Sequence, residues 1–265
     1  MTECKVYRLL ITTMLAAQRR DEMLKKLAQA GEVSVVSLSR DLAISEDTVR
    51  RDLDELASDG LLKRVHGGAV RLSPALADFH GRESISSAEK LRIGRAAAAM
   101  VRPGQVLLID GGTTTRELVR ALPRNLRATV ITHSPTIACE LIDHAEIEVI
   151  LLGGRLFKHS MVTVGETTAR ELGPINADIF FLGATGIHPE AGATTGDWEE
   201  AAVKRRMCAS ATASYLLVSP EKLNAISPFQ IVPANNLRGL VVLSETPIDQ
   251  TAKFESLGLQ IVRAE

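Results

Sequence analysis

Ser45-Glu46-Asp47-Thr48-Val49-Arg50-Arg51-Asp52-Leu53-Asp54-Glu55-Leu56 is the stretch whose pattern decides the fold of the amino-terminal part of this chain. Ser45 is a strong N-cap residue, because its hydroxyl can accept a backbone N–H that the first helical turn leaves unpaired. Glu46 and Asp47 follow in that turn, where the helix dipole favours acids. Val49, Leu53 and Leu56 stand at i, i+4 and i+7, which predicts a helix over Glu46–Ser58 with a buried stripe. Thr48, Arg50, Arg51 and Asp54 fall off that stripe and must face outward or sideways.

Working outward, Ala43-Ile44-Ser45 forms a tight connection behind a second helix at about 36–42. A first helix runs from about 17 to 30, with Met23, Leu24 and Leu27 on one face and Gly31 at its end. On the other side, Gly60 precedes Leu61-Leu62-Lys63-Arg64-Val65-His66-Gly67-Gly68-Ala69, which reads as a β-hairpin wing. A helix, a short turn and a helix exposing Thr and two Arg is the helix-turn-helix layout, whose last helix enters the DNA major groove. Arg50 and Arg51 are candidates for bidentate contact to guanine, and Ser45 and Thr48 for bonds to phosphate or base edges. On the wing, Lys63, Arg64 and His66 are candidates for phosphate or minor-groove contact. Over residues 14–72 ten Lys and Arg balance ten Asp and Glu. Placement of the cations, and not bulk charge, therefore carries the expectation of DNA binding.

The whole chain has 265 residues and a net charge of −1, from 31 Lys and Arg against 32 Asp and Glu. That length fits one large domain or two smaller ones. Charge so close to zero excludes a polybasic coat for nucleic acid but leaves room for a local reading module. Hydrophobic residues at 45% and charged residues at 24% are ordinary for a globular chain. With 3% aromatics the core must be aliphatic. Cys4, Cys139 and Cys208 are odd in number and far apart, so neither a disulfide framework nor a zinc site is expected. No apolar run approaches the ~18–20 residues needed to span a bilayer. Thr12 and Thr13 interrupt the faint signal-peptide likeness of the first residues, and Met14 is an alternative start. The expected compartment is the cytoplasm.

The texture changes after about Val70. Residues 71–87, with Pro, Gly and several Ser, read as a linker. We therefore expect a winged helix-turn-helix domain at 16–71, a linker at 72–87 and an α/β domain at 88–265. In the last of these, short Val, Ile and Leu runs predict strands at Gln105–Asp110, Ala128–Thr132, Glu148–Leu152, Asp178–Gly183, Tyr215–Ser219, Gly239–Leu243 and Leu259–Val262. Helical patterns fall at Ala88–Val101, Thr115–Ala121, Pro135–Ile142, Thr167–Leu172 and Glu199–Ala213. This alternation predicts a Rossmann-like α/β fold, with a mostly parallel sheet and helices on both faces.

Asp110-Gly111-Gly112-Thr113-Thr114-Thr115 follows the first of these strands and opens a helix. Glycines let consecutive N–H groups converge, the helix terminus adds positive potential, and the Thr hydroxyls add donors, so the loop suits a phosphate. It lacks the Lys of a P-loop and the spacing of a dinucleotide fold, which disfavours nucleotide hydrolysis and NAD binding. Neither a cofactor nor a metal is expected. Ligands of open α/β sheets sit at the carboxyl ends of strands. There Arg155 and Lys222 could pair with an anion, and His133 lies in a neighbouring loop, where a capping or surface role is the plainer expectation. Lys204, four residues after Glu200, reads equally as a surface ion pair. His144, His159 and His188 have no metal-ligand spacing.

Two sets of residues resemble one family. Ser45-x-x-Thr48-Val49-Arg50-Arg51-Asp52-Leu53-x-x-Leu56, followed by Gly60-x-Leu62-x-Arg64-x-His66-Gly67-Gly68-Ala69, resembles the DeoR family of bacterial transcriptional regulators. So do Phe79-x-x-Arg82, Glu89-Lys90, Asp110-x-Gly112-Thr113-Thr114, Leu152-Gly153-Gly154, Gly165, Gly183-x-x-Gly186, Gly192-x-Thr194 and Glu200-Ala201-x-x-Lys204. The resemblance implies Arg50 and Arg51 at the DNA surface, with Asp52 orienting a neighbouring cation. It also implies a sensor domain similar in fold to ribose-5-phosphate isomerase and coenzyme A transferases, responding to phosphorylated sugars or related metabolites. Where the family usually shows Asp-x-Ser-Lys, this chain has Ser219-Pro220-Glu221-Lys222, so an acid is lost or displaced there.

Two functions follow. The first is a repressor of a carbohydrate-catabolic operon, a homodimer or homotetramer on operator DNA, released by a phosphorylated metabolite bound at Asp110, Gly112, Thr113, Thr114, Thr115, His133, Arg155 and Lys222. The alternative is a sugar-phosphate isomerase-like or CoA-handling enzyme with an amino-terminal assembly domain. Isomerisation needs a positioned carboxylate base, for which only Asp110 and Glu200 are candidates.

Overall fold

The computed structural model describes residues 15–59, 61–71 and 78–265. Gly60, Cys4, Met14 and the first half of the expected linker lie outside the described residues. The chain divides into two compact units, one up to residue 72 with residues 224–226 grouped with it, and one comprising the remainder.

In the first unit α1 (Ala16–Ala30) ends at Gly31, whose φ of 78° suits glycine. Strand β1 (Glu32–Ser34) leads into α2 (Val35–Leu42), where Ser34 and Ser37 form a reciprocal capping box. Ala43 then turns the chain with a left-handed φ of 52°. Ser45 caps α3 (Glu46–Ser58), accepting the N–H of Thr48. The expected stripe of Val49, Leu53 and Leu56 is buried together with Met23, Leu27, Val35 and Leu38. β2 (Leu62–Val65) and β3 (Gly68–Arg71) pair antiparallel around a His66-Gly67 turn, giving the wing. β1 pairs with β3, a third strand that the sequence reading missed. Gly68 is required there, because a Cβ would stand 2.1 Å from the Val33 carbonyl oxygen.

The second unit opens with α4 (Phe79–Glu83), a short helix inside the stretch read as linker, and α5 (Ser87–Ala98). The main sheet uses β4 (Val106–Ile109), β5 (Ala128–Thr132), β6 (Ile147–Leu151), β9 (Ala177–Leu182), β12 (Ala211–Leu217), β14 (Gly239–Leu243) and β15 (Gln260–Ala264). Their order is β15-β14-β12-β9-β4-β5-β6, and every pairing is parallel. These are the seven strands expected from the apolar runs. Period-2 alternation sends Leu107, Ile109, Phe181 and Leu217 into one core layer and Leu108, Phe180, Leu182 and Leu216 into the other. Both faces are therefore buried, as continuous apolar strands require.

Between the strands run α6 (Thr113–Arg120), α7 (Pro135–Glu140), α8 (Glu166–Glu171), α9 (Trp198–Ala209) and α10 (Ile248–Ser256). The last was not anticipated, and α9 stops short of the expected Ala213. Ala211 and Ala213 are instead paired with Ala177 and Ile179 in the sheet, so strand pairing overrides helix propensity there. Also unanticipated are a β7–β8 hairpin (Arg155–Phe157, Val162–Val164) and a small antiparallel sheet of β10 (Gly186–His188), β11 (Gly192–Thr195) and β13 (Phe229–Val232).

Candidate functional sites

On α3, Arg50 and Arg51 are exposed and Thr48 is half-buried. Arg50 is held by the acids of the first turn, at 2.6 Å from Glu46 and 3.0 Å from Asp47. Asp52 is buried and accepts from Arg19 at 2.5 and 3.0 Å and from Arg20 at 3.3 Å. It thus holds two neighbouring cations and ties α1 to α3. The hydrogen bond to Asp52, helped by its charge, holds the Arg19 guanidinium above its ordinary range against the opposing effect of burial. On the wing Lys63 and His66 are exposed. Arg64 is less free: it donates to Asp54 at 2.8 Å and to the Gly68 carbonyl, bracing the wing against α3.

At the carboxyl end of β4 lies a buried polar network. Asp110 is wholly buried and receives four donors. Its Oδ1 accepts the Gly111 N–H at 2.8 Å and faces His133 Nε2 at 2.7 Å. Its Oδ2 accepts the Gly183 N–H at 2.8 Å and lies 3.0 Å from Lys204 Nζ. Lys204 also reaches Glu200 at 3.0 Å and the Gly183 carbonyl at 2.9 Å. Burial alone would raise the Asp110 and Glu200 carboxyls, but Lys204 overrides it and holds both below the ordinary carboxylate range. Lys204 is raised in turn, since its two carboxylates outweigh the burial that would discharge it.

Two expectations are corrected here. Lys204 is not a surface partner of Glu200 but the buried cation of a triad, because α9 packs that face onto β9 and β11. His133 has neither a surface nor a capping role: it is fully buried, bridging Asp110 and the Thr163 carbonyl at 3.0 Å.

Above this network sits a polar slot lined by the loop Gly111–Thr115, the Gly183–Ala184 turn, Arg82, Lys204 and Lys222. Gly112, with φ of 148°, opens α6 in a conformation that favours glycine. Lys222 Nζ reaches Thr114 Oγ1 at 3.3 Å, and burial pushes its amine down to about 7. Arg82, like Lys204, lines the slot although the sequence reading left it out of the site. Its guanidinium is buried and its Nη2 has no hydrogen-bond partner among the described residues. Burial draws its charge down, partly offset by Glu200 and Asp110. Lys90 fixes the segment by donating to the Arg82 carbonyl at 2.6 Å. The signal was present in Phe79-x-x-Arg82, but nothing local says that the side chain turns inward.

Arg155 is not brought to this slot; it is exposed and paired with Glu199. Beside Lys222, the displaced acid Glu221 accepts from Ser219 at 2.6 Å through Oε1, while Oε2 is buried without a partner among the described residues.

A winged helix-turn-helix unit and a parallel α/β unit with a polar slot at its strand ends define a two-part DNA-binding regulator. Two family descriptions match: a DeoR-like helix-turn-helix domain over residues 19–75 and a DeoR C terminal sensor domain over residues 85–243. The chain belongs to the DeoR family of transcriptional regulators. It is 33% identical to the HTH-type transcriptional regulator GlpR of Haloferax volcanii, across 94% of this chain and 98% of that one. It is 32% identical to the HTH-type transcriptional repressor GlcR of Bacillus subtilis, across 86% and 88%. It is 30% identical to the glycerol-3-phosphate regulon repressor of Escherichia coli, across 79% and 83%. The chain is accordingly a DNA-binding regulator and not an enzyme, which sets the isomerase alternative aside. No helix among the described residues is long and apolar enough to cross a membrane.

Proposed function

We propose that this protein represses a carbohydrate-catabolic operon from the cytoplasm, as a homodimer or homotetramer, and is released by a phosphorylated sugar or related metabolite. In this reading α3 lies in the major groove with Ser45, Thr48, Arg50 and Arg51 toward the DNA. Lys63 and His66 meet the backbone, and Arg64 holds the wing in place. A two-fold assembly would set two such helices against half-sites one helical turn, or a multiple of it, apart.

The observation that carries the effector half is the unpaired, buried Nη2 of Arg82 facing the amino-terminal turn of α6 beside Lys204 and Lys222. Nε of Arg82 donates to the Asp78 carbonyl at 3.3 Å, but the buried Nη2 has no partner among the described residues; leaving it so is costly, and a phosphate would supply an acceptor. Gly112, Thr113, Thr114 and Thr115 would cradle it, while Asp110 and His133 lie beneath as the support that aims Lys204. Arg82 lies on α4, within the stretch read as linker. An effector shifts the equilibrium only by its differential affinity for the two states.

Fluorescence anisotropy of labelled DNA from the region upstream of the gene, titrated with protein and then with sugar phosphates, tests both halves. We expect saturable, sequence-dependent binding that a phosphorylated ligand reverses. Binding that no phosphorylated ligand alters would remove the effector half and leave the DNA half standing.

A further inference from the structure

We propose that the open edge of the main sheet, strand β6, pairs antiparallel with β6 of a second copy of this chain, joining two sensor units through one continuous sheet. The assignment rests on the homodimer or homotetramer proposed above and gives it an interface. β6 stands at the end of the strand order and has β5 on one side only. Its residues, Ile147-Glu148-Val149-Ile150-Leu151, include no proline, glycine or cation, and its register with β5 runs without a bulge. Ile150 and Leu151 are 41% and 48% exposed, and Ile142 and Leu156, just outside the strand, are exposed as well. Proteins blunt an open edge with Lys, Pro or a bulge, because an unblunted one recruits another strand. The opposite edge is treated in that way: β15 carries Arg263, which folds onto the Ser244 and Thr246 carbonyls at 3.2 and 2.8 Å.

Backbone geometry sets the register. The Leu152 N–H donates to the Thr132 carbonyl at 2.8 Å, and the Glu146 carbonyl accepts from Ala128 at 3.4 Å. Successive residues of a strand turn their N–H and C=O groups to opposite sides. Glu148 and Ile150 therefore serve β5, while Ile147, Val149 and Leu151 present theirs to the open edge. A closed pair of identical chains needs a two-fold axis, and such an axis normal to the sheet makes the two strands antiparallel. Placed beside Val149 it uses all three outward residues. Val149 exchanges two hydrogen bonds with its own copy, and Ile147 stands opposite the partner's Leu151. The Ile147 N–H is already held by the His144 carbonyl at 3.3 Å, so this residue contributes its carbonyl.

Charge selects a second copy as the occupant. Asp143, Glu146 and Glu148 make the amino-terminal end of the edge acidic, and Arg155 and Lys158 make its carboxyl-terminal end basic, all five being exposed. Antiparallel pairing lays the acidic end of one copy beside the basic end of the other, and the two-fold axis repeats the match. Arg155 is held by Glu199, and Asp143 lies 3.9 Å from Arg124. Both are exposed pairs of small worth, which can exchange partners at little cost. Gly153 and Gly154, between the strand and Arg155, offer no side chain to bar the approach. The sequence reading assigned Arg155 to an anion; here its charge meets the acids of the partner.

Sedimentation equilibrium of the full chain, wild type against Leu151→Lys and Val149→Pro, tests the pairing. Leu151 is exposed in the single chain, and the Val149 N–H does not serve β5, so both changes spare the protomer and act twice in a pair. We expect the wild type to self-associate and each variant to raise the dissociation constant about tenfold or more, a tetramer falling to dimers or a dimer to monomers. Amide exchange gives a second reading should the proline variant fail to fold. The Val149 N–H should be protected in the assembled wild type and lose that protection in Leu151→Lys. Folded variants that associate as tightly as the wild type would overturn the β6 pairing alone and leave the assembly standing. So would a Val149 N–H that exchanges as fast in the assembled wild type as in Leu151→Lys. A monomeric wild type would overturn the pairing and the assembly together.

Discussion

Replacing Lys204 by Met should unfold the sensor unit at markedly lower temperature. Met keeps the length of the side chain and removes its charge. In the native protein Nζ stands 3.0 Å from Asp110, 3.0 Å from Glu200 and 2.9 Å from the Gly183 carbonyl, with all three side chains buried. Without the cation two buried carboxylates remain with only hydrogen bonds to hold their charge. Removing one partner from a buried pair costs about 3–5 kcal/mol. In a domain of this size 1 kcal/mol shifts Tm by about 2–4 °C, so the loss should be roughly 6–20 °C. Trp198 is the one tryptophan of the chain and sits on α9, so its fluorescence reports this unit and not the helix-turn-helix.

The pH dependence has a definite sign. In the wild type both carboxyls are held below their ordinary values by Lys204, so their contribution is present at neutral pH and lost as pH falls through the acid range. In the Met variant only hydrogen bonds from Gly111, His133, Gly183 and Thr195 oppose burial, so both carboxyls rise and the folded state binds extra protons. The deficit should therefore shrink between pH 7 and pH 5. Adding Glu200→Gln should recover part of it, since one buried charge fewer is left over. A Tm within 2 °C of the wild type, or a deficit that grows on acidification, would refute the triad as a stability element.

Arg50→Ala and Arg51→Ala should each weaken operator binding by about 1–3 kcal/mol and relax sequence preference, read by anisotropy on matched and mismatched DNA; unaltered affinity in the double variant contradicts base contact. Asp52→Asn should destabilise the α1–α3 packing by about 1–3 kcal/mol, below the fully buried figure because Arg19 and Arg20 reach solvent. Amide exchange in α1 would quicken, and unchanged protection would count against this tie. Gly94→Ala should cost about 1–3 kcal/mol despite better helix propensity, because its Cβ would meet the α6 backbone at 2.6 Å; a Tm at or above the wild type excludes that crossing. Burial pushes the Lys222 amine down to about 7, and a bound phosphate would favour its charged form. Ligand affinity should therefore fall as pH rises from 7.5 to 9, by up to tenfold per unit, and Lys222→Arg should flatten the profile; a flat wild-type profile argues against Lys222 at the phosphate.

Much of the fold was legible because its signals are local. The seven apolar runs became the seven parallel strands, and the stripe Val49, Leu53, Leu56 became the buried face of α3. The short strands β1, β7, β8, β10, β11 and β13 carry no comparable run. They exist through partners elsewhere in the chain, as Glu32–Ser34 does through Gly68–Val70. The site was legible in part for the same reason. Asp110–Thr115 announces a strand, a turn and a helix start, whereas Arg155 shares its residue type with a site cation and nothing of its position.

The sequence alone determined the two-part architecture, the exposed arginines of α3 and the loop that opens α6, because each depends on residues at most a few positions apart. Which polar side chains share one buried space was decided only by the tertiary structure. Glu200 and Lys204 at i, i+4 would pair on any helix; they became a buried triad because β4 lies beside β9, and α9 packs over the strand end where Asp110 has no water to turn to. Burial turns such a contact from a minor surface pairing into a constraint on the fold, and burial belongs to the assembled molecule.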